Sequence, residues 1–177
     1  LVIGGTGPTG PYVVDGLLAR GARVAICHTG RHEIAEIPPE VEHVHTDPFD
    51  VDALRQALAG RRFAAVIATY GRLRDIAVVA RDLTDRLITV GGMPAYRGYM
   101  VPEVCSPPGL VIPTREDAPT AAEGDDAKSV RVAVTESRLF AAFPEATHFR
   151  YPYVYGPRQL TPRDWTVVTQ GAGVGLG

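Results

Sequence analysis

Apolar positions along the chain recur with two alternating periods. Leu1–Ile3 is a short apolar run that reads as a strand, and Val13, Val14, Leu17 and Leu18 then fall on one helix face. Gly21 marks the end of that helix. Arg23–Cys27 reads as a buried strand and Val41–His45 as a short alternating one. Asp50 is placed to cap a helix whose inner face is Val51, Leu54 and Leu58. Phe63–Ala68 is the next buried strand, and Ile76, Val79, Ala80 and Leu83 give the next helical stripe. Leu87–Val90 forms another strand, closed by Gly91 and Gly92. From Met93 to Ala127 the rhythm breaks, and Pro94, Pro102, Pro107, Pro108, Pro113 and Pro119 predict a long loop. Loops of this length in a compact domain usually carry function. A helix is predicted from about Lys128 to Ala142, then a strand over Thr147–Tyr151. Short buried strands alternating with helices predict an α/β protein built on a doubly wound parallel sheet.

Both ends are expected to be cut. The first residues lack Met and already lie in an apolar run, whereas strands usually have about 5–6 residues. Thr161, Pro162 and Asp164 announce a helix that should outrun Trp165–Gln170, and Gly171–Gly177 resembles neither helix nor strand. The sequence is therefore expected to be part of a longer protein.

Composition narrows the function classes. The chain has 177 residues, 45% hydrophobic and 21% charged, which fits one globular domain. A net charge of −2 argues against a general nucleic-acid or membrane-surface binder. No apolar run approaches the roughly 18 residues of a membrane span. Cys27 and Cys105 are too few and scattered for a disulfide framework, so a reducing, cytoplasmic setting is expected.

The strongest local signal is Gly4-Gly5-Thr6-Gly7-Pro8-Thr9-Gly10, between a predicted strand and a predicted helix. Glycine lets the chain turn tightly and a pyrophosphate approach the backbone. The helix N-terminus then offers unpaired N–H groups and a positive dipole end. The glycines stand as GxxGxxG at Gly4, Gly7 and Gly10, and Pro8 and Pro11 lie where a missing N–H costs least.

This run resembles the extended short-chain dehydrogenase/reductase superfamily, especially its nucleotide-sugar epimerase/dehydratase branch. Three later segments agree. Asp47-Pro48-Phe49-Asp50 resembles the acidic turn after the third strand, whose Asp contacts adenine. Val90-Gly91-Gly92-Met93-Pro94-Ala95-Tyr96 stands where that family has Ser-Ser-x-x-Val-Tyr. Arg150-Tyr151-Pro152-Tyr153-Val154-Tyr155-Gly156-Pro157 resembles its Arg-Pro-x-x-Val-Tyr-Gly-Pro segment. The resemblance implies a Rossmann-like fold with strand order 3-2-1-4-5-6, dinucleotide at the C-terminal strand ends, an NAD(P)-binding domain over residues 1–158, and the start of a truncated substrate domain over 159–177. It also implies a dinucleotide site from Gly4, Thr6, Gly7, Pro8, Thr9, Gly10, His28, Arg31, Asp47, Pro48, Thr69, Tyr70, Gly71, Tyr151 and Val154. The substrate would be a hydroxylated small molecule of the nucleotide-sugar kind; a homodimer is left open.

The second predicted strand ends Ile26-Cys27-His28-Thr29-Gly30-Arg31-His32, with no acid until Glu33. NAD binders usually hold the ribose 2′-hydroxyl with an acid here. Arg31, with His28 or His32 nearby, suits a 2′-phosphate instead, so NADP is expected, with NAD as the alternative.

The family's Ser/Thr, Tyr and Lys are another matter. Its Tyr and Lys sit four apart on one helix face, and the Lys lowers the Tyr pKa so that the Tyr exchanges a proton with the substrate hydroxyl. Lys128 is the only lysine, and Gly124, not Tyr, stands four residues before it. None of the seven tyrosines has Lys four residues later. Aligned through Glu136, Lys128 falls on the Tyr position, Val132 on the Lys position, and the Ser/Thr position falls near Gly92. Two readings compete: an epimerase/dehydratase-like oxidoreductase using Tyr96 and Lys128 as displaced proton-transfer groups, or a nucleotide-binding regulatory or scaffold domain without turnover. Tyr151, Tyr153 and Tyr155 alternate along an extended segment and share a face, where they could meet the nicotinamide or anchor a following domain.

Other signals carry less. His43 and His45 lie two apart on a strand and point the same way, a spacing that can serve a metal, but no third ligand is evident and zinc usually takes three or four; no metal is expected. Cys105 reads as a plain structural cysteine, and Glu116, Asp117, Glu123, Asp125 and Asp126 as a solvated acidic loop.

Overall fold

The computed structural model describes residues 1–31, 33–156 and 158. His32, the segment 159–177 and the helix expected after Thr161 lie outside the described residues. Six strands, β1 (Val2–Ile3), β2 (Ala25–His28), β3 (Glu42–His45), β4 (Val66–Ala68), β5 (Leu87–Gly92) and β6 (Thr147–Tyr151), form one sheet in the order β3-β2-β1-β4-β5-β6. Every neighbouring pair is parallel. Helices α1 (Gly10–Leu18), α2 (Val51–Ala57), α3 (Leu73–Ala80) and α4 (Ala127–Ala142) cover it. This is the doubly wound arrangement predicted from the sequence.

The central strands are apolar on both sides because both faces are covered. Val2 and Ile26 pack with Val14 of α1, together with Val24, Ile37 and Val41. The alternate residues Ile3, Cys27, Val66 and Ala68 pack on the other face with Leu54 of α2, Ile76 of α3 and Leu139 of α4. Each fully buried Leu, Ile or Val contributes about 1.5–3 kcal/mol. Cys27 belongs to this core, and burial pushes its thiol up to about 12, so it behaves as a small inert side chain.

Two expectations are corrected. Gly91 and Gly92 do not close the fifth strand; they continue it, because β6 supplies ladder partners through Gly91↔Arg150 and Gly92↔Tyr151. The acidic stretch is only partly solvated. Asp126 caps α4 by accepting from the Ser129 N–H at 3.0 Å. Asp125 accepts from the Ala122 N–H and from Arg97 Nε, both at 3.0 Å.

The proline-rich segment 93–126 is a loop with 3-10 turns at Met93–Ala95 and Pro102–Val104. Its two arms are joined by Arg97 N–H to the Pro119 carbonyl at 3.0 Å and Ala121 N–H to the Ala95 carbonyl at 2.9 Å.

Asp50 caps α2 as predicted, accepting from the Asp52 and Ala53 N–H groups at 3.1 and 3.0 Å. Replacing Asp50 by Ala is expected to lower unfolding free energy by about 1 kcal/mol, read as a lower urea midpoint at unchanged m-value.

Candidate dinucleotide site

The site is built where β1 passes into α1. Gly4 has φ +93°, and a Cβ on it would lie 2.5 Å from Tyr70 Cβ. Gly10 is closed to a side chain for another reason: its Cα packs directly on the Gly5 backbone. The Gly7 N–H donates to the Gly4 carbonyl at 3.1 Å and the Gly10 N–H to the Gly7 carbonyl at 2.9 Å. Thr69 Oγ1 donates to the Ile3 carbonyl at 3.2 Å, fixing the loop to the end of β4. Thr9 caps α1 without a side-chain hydrogen bond. A tight glycine cradle therefore leads into the uncapped N-terminus of α1, an arrangement suited to a diphosphate.

In front of this cradle lies a cleft of about 550 Å³ at the C-terminal ends of the strands. Of the sequence-predicted residues, Pro8, Thr9, Thr69, Tyr151, Val154 and Lys128 line it, and Tyr99 joins them. Asp47, Pro48, Tyr70 and Gly71 lie on the loops after β3 and β4 and pack together. Asp47 Oδ1 accepts from the Phe49 N–H at 2.9 Å, Phe49 and Tyr70 meet edge to face at 5.1 Å, and Gly71 sits against Pro48.

Tyr96 and Lys128 are placed differently. Tyr96 is only 4% exposed and lies under Arg150, whose guanidinium carbon is 4.4 Å from the ring centre. Lys128 is exposed on the first turn of α4. It lines both the main cleft and a second cavity of about 400 Å³, which Val132 also lines.

In the sequence Glu136 marks only the register of the helix. In the fold it is a buried carboxylate that ties α4 to β6. Arg150 Nε donates to Oε1 and Oε2 at 3.1 and 3.0 Å, and a terminal nitrogen donates to Oε2 at 2.8 Å. His148 Nε2 lies 3.2 Å from Oε1, and its Nδ1 lies 2.7 Å from Thr89 Oγ1. Arg150 also donates to the Glu116 carbonyl at 3.0 Å, drawing in the long loop. Burial opposes ionisation of Glu136, but the hydrogen bonds from His148 and Arg150, and their charge, bring its pKa below the ordinary value. The alternating His148-x-Arg150 facing a helical Glu was the available signal.

His28 ends β2 and is 5% exposed. Its Nδ1 accepts from the Gly30 N–H at 3.1 Å, and its Nε2 lies 3.1 Å from His43 Nδ1. Its pKa is lowered by burial first, then by His43 and His45. Arg31 is exposed on the loop that follows. The expectation that His43 and His45 lack further ligands is corrected: the fold brings His28 and Glu33 to them, with all four ligand atoms within 4.8 Å of one another. Linear spacing hid this because the partners come from β2 and the loop after it.

No family model matches the chain, and no curated protein matches it. Solved structures do. The Bordetella bronchiseptica enzyme WbmG in complex with NAD aligns at TM-score 0.70 and 18% identity, over 97% of this chain and 59% of that one. WbmH of the same organism, in complex with NAD+, aligns at TM-score 0.72 and 17% identity, over 97% and 62%. A UDP-galactose 4-epimerase aligns at TM-score 0.69 and 20% identity, also over 97% and 62%. The chain shares its fold with these structures. At these identities the likeness is one of fold, and the chain spans about 60% of the length of these structures. Among the described residues no helix is long and apolar enough to cross a membrane.

Glu136→Gln leaves Arg150 without its buried counter-charge and is expected to cost roughly 3 kcal/mol in urea unfolding. The pH dependence has a definite sign. Because the folded-state pKa lies below the ordinary 4.5, the stabilisation is fully present above that value and fades as pH falls through the lowered pKa. The variant should show a flatter acid limb than the parent protein.

Proposed function

We propose that this chain is the dinucleotide-binding part of an epimerase/dehydratase-like oxidoreductase acting on a hydroxylated small molecule of the nucleotide-sugar class. The observation that carries the reading is the glycine cradle, which a Cβ at Gly4 or Gly10 would fill, opening at an uncapped helix N-terminus onto a cleft. Gly4, Gly7 and Gly10 would let the diphosphate approach the loop backbone at the positive end of α1, with Thr6, Pro8 and Thr9 flanking it. Asp47, Pro48, Tyr70 and Gly71 would frame the adenine. Tyr151 and Val154 would face the nicotinamide end. A bound nicotinamide supplies hydride acceptance and return.

Proton transfer falls to Lys128. It stands on the helix position that the Tyr of related enzymes occupies when the chain is aligned through Glu136, and it lines the cleft. Tyr96, stacked beneath Arg150, supports that wall. NADP is the proposed cofactor. Arg31 follows β2, His28 stands where an acid would meet the ribose 2′-hydroxyl, and the carboxylate of Glu33 is drawn to His45 Nε2 at 3.0 Å. The missing Tyr-x-x-x-Lys pair favours a second reading, a nucleotide-binding domain without turnover.

Titrating the full chain with NADPH and NADH is expected to show tighter NADPH binding. Arg31→Ala should weaken NADPH by roughly 10- to 100-fold, the worth of a charged hydrogen bond, and leave NADH nearly unchanged. Equal affinities in the parent protein would reject the NADP assignment. With a panel of nucleotide sugars, Lys128→Met is expected to lower kcat about 10²- to 10⁴-fold with little change in dinucleotide affinity. Dinucleotide binding with no turnover across the panel would establish the second reading instead.

A further inference from the structure

We propose that His28, Glu33, His43 and His45 form a binding site for a divalent transition-metal ion, with zinc as the best match to the donor set. The strand register creates the site. In the parallel β2–β3 ladder Ile26 is paired with His43 and His28 with His45. The three imidazoles therefore stand on one face at the C-terminal edge of the sheet, and the loop after β2 brings Glu33 back over them.

The distances suit direct ligation. His28 Nε2 and His43 Nδ1 are 3.1 Å apart, Glu33 Oε1 and His45 Nε2 3.0 Å, and Glu33 Oε1 and His43 Nδ1 3.9 Å. A tetrahedral zinc site with bonds of about 2.0–2.1 Å has ligand–ligand edges of roughly 3.3–3.4 Å, so these pairs need to move by about 0.3–0.6 Å, and the remaining pairs, all within 4.8 Å, by about 1.4 Å at most. The rings do not stack. Their planes cross at 75°, 79° and 84°, with centres 4.9–6.0 Å apart, as rings converging on a shared centre do.

The chemistry selects the metal. Three neutral imidazoles and one carboxylate suit zinc and its first-row neighbours, whereas magnesium and calcium need oxygen-rich shells. Four protein ligands leave no open position, so the metal would act as a structural clamp. Ligation through His28 Nε2 puts the ring proton on Nδ1, where the Gly30 N–H now points at 3.1 Å. That amide must turn away, and Gly30, at φ +75°, can adopt backbone conformations closed to other residues. The clamp would join Glu33 to the sheet edge.

The test uses the full chain, treated with chelator, dialysed, and titrated with zinc against a chromophoric competitor. One zinc per chain is expected. Cobalt loading should give the intense visible absorption of a tetrahedral centre. His45→Ala and Glu33→Ala change exposed residues and should preserve the circular dichroism spectrum. Each should weaken zinc by at least ~10- to 100-fold, a range that even outer-shell losses reach, and abolish the cobalt bands. No zinc uptake by the parent protein, or uptake unaltered in a His43→Ala/His45→Ala double variant, would overturn the proposal. Zinc and dinucleotide share His28, so each is titrated alone: zinc uptake without NADPH binding leaves the metal site standing and rejects the cofactor reading, and NADPH binding without zinc uptake does the reverse.

Discussion

The cleft depends on a contact between two stretches of backbone, Gly10 against Gly5, which decides where α1 begins. Any side chain at Gly10 would strike the Gly5 carbonyl, so the helix would have to retreat from the sheet. Its first N–H groups would then aim elsewhere, and Val14 would leave the pocket it fills with Val2 and Ile26. Helix capping reinforces the point. Thr9 spends no side-chain hydrogen bond on the helix start, so the positive dipole end there has no side-chain acceptor against it.

The opposite wall is fixed by charge rather than by the lack of side chains. Glu136 gathers Arg150 and His148 from one face of β6, and Arg150 reaches on to Tyr96 and the Glu116 carbonyl. A buried carboxylate tolerates little slack, since a missing partner leaves uncompensated charge. Lys128 lies about two turns earlier on the same helix, so the geometry that holds Glu136 also sets the lysine at the cleft.

Local periodicity was enough to read the strands and helices, because each buries a continuous apolar stripe in a two-faced sheet. The GxxGxxG run was legible because steric demand at Gly4 and Gly10 is written directly into residue type. What linear spacing could not carry was register. That Ile26 pairs with His43 and His28 with His45 follows from three-dimensional pairing of β2 with β3, so the histidine cluster was invisible as a group of four. Gly91 and Gly92 looked like a terminator because glycine often ends strands; the space needed by His148 beside Gly91 explains their presence within β5. Asp125 and Asp126 looked solvated because their partners, the Ala122 and Ser129 amides, are backbone groups that residue identity does not reveal. Tyr96 qualifies as a proton-transfer group by motif position alone, whereas in the fold it is buried, with Arg150 from far along the chain over its ring.

The solitary lysine has a practical consequence. With a single ε-amine in 177 residues, and that amine at the junction of two cavities, the protein carries its own addressable handle. An amine-directed fluorophore or mass tag placed there would report from inside the cleft without any engineered site. Its rate of attachment would track occupancy of the cavity, which turns a compositional rarity into a built-in footprinting probe.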